Sequence, residues 1–111
     1  MVEALRAFYC DVVGLSVGPR PSFRRFGYWL YAGPKDVLHL TESSADERRA
    51  VSVRSTFDHV AFSCVDSAAY EARLQSAGIA YESDIVPGTG QVQLFFSDPA
   101  GNGVELNFSA S

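Results

Sequence analysis

A chain of 111 residues with 47% hydrophobic content is long enough to bury one core and too short to form two independent domains. Its formal net charge of −4 excludes the basic surface that nucleic-acid binding requires, so the expected partner is a small molecule or another protein chain. No apolar run approaches the roughly 20 residues that span a membrane. The two cysteines lie within predicted elements, which favours reduced thiols. We therefore predict a cytoplasmic protein that binds neither nucleic acid nor membrane.

A helix is predicted at the beginning of the chain. Apolar residues recur there with the spacing of one helical face, and Gly14 follows where a helix would end. This face consists of Leu5, Phe8, Tyr9, Val12 and Val13. Three segments typical of strands come next, namely "LSVGPRP", "GYWLYAG" and "DVLHLTE".

The second half begins with a strand and a helix. The segment "FDHVAFSC" alternates in the manner of a strand, and Asp66 is a good N-cap for a helix that ends at Gly78. Three further strands are predicted in "AYESDIVP", "QVQLFFSD" and "GVELNF". The predicted order of this half is therefore β-α-β-β-β.

From the helix onward the two halves share one order of elements, which predicts a duplicated unit. Aligning Gly14 with Gly78 places the counterpart of the strand at 57–64 before Met1, so the first half is expected to lack its leading strand. We predict a single domain made of a first module, a polar linker and a second module, at residues 1–43, 44–56 and 57–111.

Three polar residues lie on strands whose neighbouring residues are apolar. They are His39, His59 and Glu105, and alternation places each on the sheet face opposite to the helices. For any one of them alone, a solvent-exposed sheet face is the simplest interpretation. Together, two imidazoles and a carboxylate form a ligand set suited to divalent iron, manganese, zinc or nickel.

Aromatic and amide side chains accompany these residues. Trp29 and Tyr31 share one face of their strand, and Gln93 and Phe95 share one face of theirs, which favours a mostly apolar small-molecule site. The alternative is that the aromatic rings belong to the core. Arg20, in a predicted loop, is either a surface residue or a partner for a substrate carboxylate or phosphate.

The element order and three segments resemble the vicinal oxygen chelate superfamily, also called the glyoxalase, bleomycin-resistance and dioxygenase family. These segments are "FYCDVVGLSVG", "FDHVAF" and "FFSDPAGNGVELNF", of which "DPAGNGVEL", with the form D-P-x-G-x-x-x-E, is the most specific. The resemblance implies an α+β fold of two βαβββ modules that form an open barrel-like cup around a divalent metal. By position, it implies metal ligands at His39, His59 and Glu105, with a fourth ligand position before Met1.

The resemblance also implies a metal-dependent enzyme that acts on a small substrate with vicinal oxygens. The reaction would be that of a dioxygenase or of a glyoxalase-like lyase or isomerase. No general base is evident beyond the ligand set, so Glu105 is the predicted catalytic residue, with Tyr28, Tyr31 and Glu42 as nearby candidates. The predicted substrate contacts are Arg20, Trp29, Tyr31, Gln93 and Phe95.

Two further expectations concern partners. The alternative to an enzyme is a metal-free small-molecule or drug-binding protein, similar to the bleomycin-resistance members of the family. A homodimer is also expected, because an absent leading strand leaves a sheet edge that another chain commonly covers.

Overall fold

A computed structural model describes residues 1–109 of the chain. The backbone separates into two compact units, Met1–Val51 and Ser52–Ser111, here called unit one and unit two. Each unit has its own sheet, so the fold is of the α+β class, with sheets of three and four strands. No helix within the described residues is long and apolar enough to cross a membrane.

Unit one begins with helix α1, Val2–Phe8, which continues directly into a π-helical turn at Tyr9–Val13. The predicted apolar face is confirmed, because Phe8, Tyr9, Val12 and Val13 are all buried. Gly14 ends the helical segment with a φ of 95°, a left-handed conformation that glycine adopts without steric cost. The prediction of one regular helix differs from the structure only in the wider last turn.

The sheet of unit one is antiparallel, with strands in the order β1-β2-β3. The strands are β1 Ser16–Gly18, β2 Gly27–Ala32 and β3 Lys35–Thr41. Leu30 is completely buried opposite Leu38, and a β-bulge follows between Leu30 and Tyr31. Helix α1 contacts β2 and β3, so their apolar residues form the core of this unit.

Unit two has the predicted order of elements. They are β4 His59–Cys64, α2 Ser67–Ser76, β5 Glu82–Ile85, β6 Val92–Ser97 and β7 Gly103–Phe108. Asp66 caps α2 as predicted, because its side chain accepts a hydrogen bond from the backbone N–H of Ala69. The sheet order is β4-β7-β6-β5, in which β4 and β7 are parallel and the other pairs are antiparallel.

The two faces of the unit-two sheet differ in chemistry. One face is apolar and packs near α2, where the Tyr70 and Phe108 rings are 5.5 Å apart. Leu74, Leu94 and Leu106 on this side are completely buried. The register places the polar side chains on the opposite face: His59, Glu105, Asn107 and Gln93, together with Phe95. Burial of the apolar face therefore presents a row of polar groups on the other.

Candidate functional site

The pairing of β4 with β7 brings His59 and Glu105 together. Ala61 lies opposite Glu105 and His59 lies opposite Gly103, so His59 and Glu105 are diagonal neighbours on one face. The His59 Nε2 atom is 3.1 Å from the Glu105 Oε1 atom. Two of the three sequence-predicted ligands are thus in direct contact in unit two.

Gly103 permits this close approach of the two strands. A Cβ atom at this position would be 2.4 Å from the Asp58 carbonyl oxygen and 2.9 Å from the His59 Cβ atom. Both contacts are shorter than van der Waals separation, so any side chain here would displace the beginning of β4. The second glycine of the "DPAGNGVEL" segment therefore has a direct role in positioning His59.

Glu105 is a buried carboxylate that accepts hydrogen bonds from the polar side chains beside it. Only 8% of the residue is exposed. Its Oε2 atom accepts hydrogen bonds from Asn107 Nδ2 at 2.9 Å and from Gln93 Nε2 at 3.3 Å. These donors offset the cost of removing the carboxylate from water, and they leave Oε1 directed toward His59.

Asp58 holds the other side of the His59 ring. The Asp58 Oδ2 atom lies 2.7 Å from His59 Nδ1. This bond, supported by the negative charge of Glu105, raises the pKa of His59 above its usual 6.5, and it lowers the pKa of Asp58. Asp58 lies directly before β4, which begins at His59, so its side chain can bond to the neighbouring ring.

A polar cavity of about 630 Å³ adjoins His59. Phe95, whose ring meets the His59 ring edge-on at 6.2 Å, forms part of its wall, as do Glu82 and Asp98. Asp98 organises the "DPAGNG" turn, since its Oδ1 atom accepts hydrogen bonds from the backbone N–H groups of Ala100 and Asn102. The most specific segment of the family resemblance therefore shapes the end of β7 and the cavity beside it.

In unit one, His39 stacks on Trp29. The two residues are direct cross-strand neighbours, and their rings are parallel within 2° with centroids 3.9 Å apart. The His39 Nε2 atom is 2.6 Å from Asp36 Oδ2, and this bond lowers the pKa of Asp36. His39 thus resembles His59 in having one ring nitrogen bonded to an aspartate.

The remaining predicted contact residues of unit one have different surroundings. The Arg20 Nη2 atom donates to the Arg25 carbonyl at 2.9 Å, and Arg20 lines a cavity together with Trp29. The Tyr31 hydroxyl donates to the Pro19 carbonyl at 2.5 Å, and its ring covers Gly18. Tyr31 therefore supports the β1–β2 edge and is not among the residues that line the cavity.

The candidate bases Tyr28 and Glu42 show no catalytic arrangement within unit one. The Tyr28 hydroxyl donates to the Glu3 carboxylate, which raises the pKa of Tyr28 and joins β2 to α1. Glu42 is exposed just beyond β3. Neither residue has the buried contact expected of a poised base.

No group of three or more His, Cys, Asp or Glu side chains in residues 1–109 is arranged to hold a metal ion. The donor types at His59 and Glu105 nevertheless suit a divalent metal, and Asp58 supports His59 as carboxylates commonly support metal-bound histidine. The Asn107 Oδ1 atom is buried with no hydrogen-bond partner in this part of the chain. Unit two therefore contributes two side chains suited to bind a metal, His59 and Glu105, and beside them an Asn107 oxygen without a hydrogen bond.

Sequence reasoning missed Asp58, Asn107 and Gly103. Asp58 could have been found as a carboxylate directly before a candidate ligand histidine, and Asn107 as the next residue on the Glu105 face. The role of Gly103 depends on which strand lies beside it. Only the fold reveals that neighbour.

Structural comparison finds the same fold in several solved proteins. A glyoxylase/bleomycin resistance protein/dioxygenase domain from Frankia sp. EAN1pec superimposes with a TM-score of 0.77 at 17% identity, covering 98% of this chain and 89% of that one. A lactoylglutathione lyase from Agrobacterium tumefaciens gives 0.68 at 24% identity, with 96% and 84% covered. An antibiotic binding protein from Streptomyces sp. CB03234 gives 0.66 at 23% identity, with 96% and 85% covered.

No curated protein matches the sequence at a significant level. The sequence profile of the Glyoxalase/Bleomycin resistance protein/Dioxygenase superfamily matches residues 1–106, which is nearly the whole chain. This match agrees with the resemblance noted in the sequence and with the folds of the solved relatives. The chain therefore belongs to the Glyoxalase/Bleomycin resistance protein/Dioxygenase superfamily.

Proposed function

We propose that the protein is a divalent-metal-dependent enzyme in which His59 and Glu105 are metal ligands. Its substrate would be a small molecule with vicinal oxygens, and the reaction that of a lyase, an isomerase or a dioxygenase. The observation that carries the proposal is the 3.1 Å approach of His59 Nε2 to Glu105 Oε1, with Asp58 behind the imidazole. Family membership supports it, because the superfamily includes lyases and dioxygenases.

The hydrogen bonds determine which atoms of His59 and Glu105 are available to bind a metal. Asp58 bonds to Nδ1 of His59, so Nε2 is the nitrogen available to a metal. Asn107 and Gln93 hold Oε2 of Glu105, so Oε1 is the available oxygen. A bound divalent metal would supply Lewis-acid polarisation of a substrate oxygen or activation of O₂.

His39 remains the predicted third ligand. Its Nε2 atom is bonded to Asp36, so Nδ1 would be the donor. The stacked Trp29 ring restricts rotation of the imidazole. The test compares the metal affinity of His39→Ala with that of the unsubstituted protein. Loss of a ligand is expected to weaken metal binding tenfold or more.

Beyond metal binding, Glu105 is the proposed catalytic residue, and Gln93 and Phe95 are proposed substrate contacts. Gln93 orients Glu105, and Phe95 covers one edge of His59 on the cavity side. In this scheme Oε1 of Glu105 exchanges a proton with the substrate only while it is not bound to metal, and Oε2 stays hydrogen-bonded throughout. The apolar Phe95 ring reduces access of water to the imidazole.

Metal analysis tests the proposal. Purified protein is dialysed against manganese, iron, zinc or nickel, and bound metal is counted by elemental mass spectrometry. One equivalent is expected, with loss in His59→Ala and Glu105→Gln. Glu82→Gln, an exposed carboxylate on the same cavity wall, serves as the matched control and should retain the metal. Absence of bound metal under every supplement would overturn the proposal.

A metal-free small-molecule-binding protein is the second candidate. The observation in its favour is that His59 and Glu105 already satisfy each other in an ion pair without a metal. One structural relative is an antibiotic binding protein. For this function, ligand-induced thermal stabilisation would be unaffected by a chelator, whereas a metal enzyme would show a lower melting temperature after chelation.

We also propose that the protein is a cytoplasmic homodimer. Among residues 1–109, β3 pairs only with β2, so its outer edge has unpaired backbone groups of the kind that a second chain can cover. The free thiols of Cys10 and Cys64 suit a reducing compartment. Light scattering tests assembly, and a stable monomer at micromolar concentration would contradict the dimer.

A further inference from the structure

Unit one contains a cavity of about 370 Å³ that combines arginine side chains with aromatic rings. Its walls come from the loop between β1 and β2 and from the faces of β2 and β3 that carry Trp29 and His39. The volume lies near the lower end of the range of about 300–1,000 Å³ found for small-molecule sites. The cavity therefore suits a compact ligand.

The aromatic part of this cavity is flat. Trp29 and His39 are stacked in parallel, and the Phe23 ring lies 6.0 Å from Trp29 at an angle of 40°. Phe23 is 53% exposed, so part of its ring is open to a ligand. A planar apolar ring would stack on this surface and cover part of Phe23.

The charged part of the cavity is basic in a chain whose net charge is −4. Arg25 is paired with Glu47 at 2.7 Å, a carboxylate that also binds Arg49 at 2.6 Å. Arg24 makes no hydrogen bond or ion pair within residues 1–109. The Arg20 guanidinium lies 4.9 Å from the centre of the Phe23 ring, and its buried Nε atom has no hydrogen-bond partner in the same part of the chain.

We propose that this cavity binds a planar aromatic carboxylate, with the ring on Trp29 and Phe23 and the carboxylate at Arg24 and Arg20. Arginine binds carboxylates through paired N–H donors, which suits this assignment. We assign a singly charged group, because Arg25 and His39 each already have a carboxylate partner, which leaves Arg24 and Arg20 for the ligand. His39, the proposed third metal ligand, lines this cavity, whereas His59 and Glu105 do not. The carboxylate assignment rests on the cavity's arginine and aromatic side chains and not on a bound metal.

The single tryptophan of the chain provides a direct probe, since Trp29 is part of the cavity. Benzoate is titrated into ¹⁵N-labelled protein in the presence of EDTA, and the indole N–H signal of Trp29 is followed by NMR. A saturable shift is expected. Benzyl alcohol, which lacks the charge, and cyclohexanecarboxylate, which lacks the flat ring, should each bind at least about tenfold more weakly.

Two variants distinguish binding of benzoate by Arg24 from a general effect of the protein's positive charges. Arg24→Gln should weaken benzoate binding by about tenfold or more, because a charge-assisted hydrogen bond is lost. Arg48→Gln removes the same charge from an exposed residue that does not line the cavity, and should leave binding unchanged. Equal effects of both variants, equal binding of benzyl alcohol, or no saturable shift would overturn the proposal. Because EDTA is present throughout, the result is independent of metal binding at His59.

Discussion

The last strands of the two units carry His39 and Glu105 in corresponding places, yet their surroundings differ. The Glu105 side chain is 10% exposed and lies on β7, between β4 and β6. The His39 side chain is 47% exposed and lies on β3, which pairs with one strand only among residues 1–109. A neighbouring strand on each side therefore converts an exposed position into a buried one that must be hydrogen-bonded.

The largest expected effect comes from removing the buried carboxylate. Glu105→Ala would leave His59 Nε2, Asn107 Nδ2 and Gln93 Nε2 without their acceptor, and should lower the free energy of unfolding by about 2–4 kcal/mol. Urea unfolding followed by circular dichroism measures this change. If Glu105→Ala were no more destabilising than His39→Ala, burial between two strands would not distinguish the units.

Gly103→Ala should have the next largest effect. The added Cβ atom would meet the Asp58 carbonyl and the His59 Cβ atom, and relief of this overlap should cost about 1–3 kcal/mol. Gly33→Ala is the matched control in unit one, because its positive φ strains an alanine while nothing lies within 4 Å of the new Cβ atom. Equal destabilisation of both variants, by urea titration, would contradict a packing role for Gly103. The Gly103→Ala variant should also weaken metal binding by displacing His59.

Protonation of His59 should make the metal-free protein more stable just below pH 6.5 than at higher pH. Asp58 and Glu105 raise the pKa of His59 above 6.5, so their stabilisation is present below pH 6.5 and is lost as the pH rises through the folded-state pKa. Asp58→Asn should lower that pKa and flatten the decline in melting temperature. An NMR titration of the His59 ring protons in EDTA measures both proteins. An unchanged His59 pKa in Asp58→Asn would show that the Asp58 bond does not cause the shift.

The smallest expected effect is at the exposed histidine. His39→Ala removes a hydrogen bond with Asp36 and one stacking contact with Trp29, both largely exposed, and should cost less than about 1 kcal/mol. Thermal unfolding without metal measures it. A loss as large as that of Glu105→Ala would show that His39 is held as firmly as its counterpart.

Much of the fold was predictable because its signals are local. Gly14 needs a positive φ, Asp66 caps the next helix, and the alternation in "GVELNF" matches β7 at both ends. Each of these depends on a few neighbouring residues. The π-helical turn at Tyr9–Val13 was not predicted, since its apolar spacing also suits a regular helix.

The candidate site was predictable only in part, because a strand pattern gives the face of a side chain but not its contacts. Alternation placed His59 and Glu105 on one face, and the register confirms that placement. Tyr31 shares the strand of Trp29 but is bonded to Pro19, which the strand pattern does not indicate. The roles proposed for these residues stay predictions until metal and ligand binding are measured.

By itself, the sequence determined the order of the elements, the apolar face of each and the family, because periodicity, caps and turn residues act over short distances along the chain. Only the tertiary structure decided that Gly103 makes room for His59 and that Glu105 is buried beside that histidine. Those contacts depend on which strands pair and in what register. Pairing joins residues about 45 positions apart, beyond the reach of any local pattern.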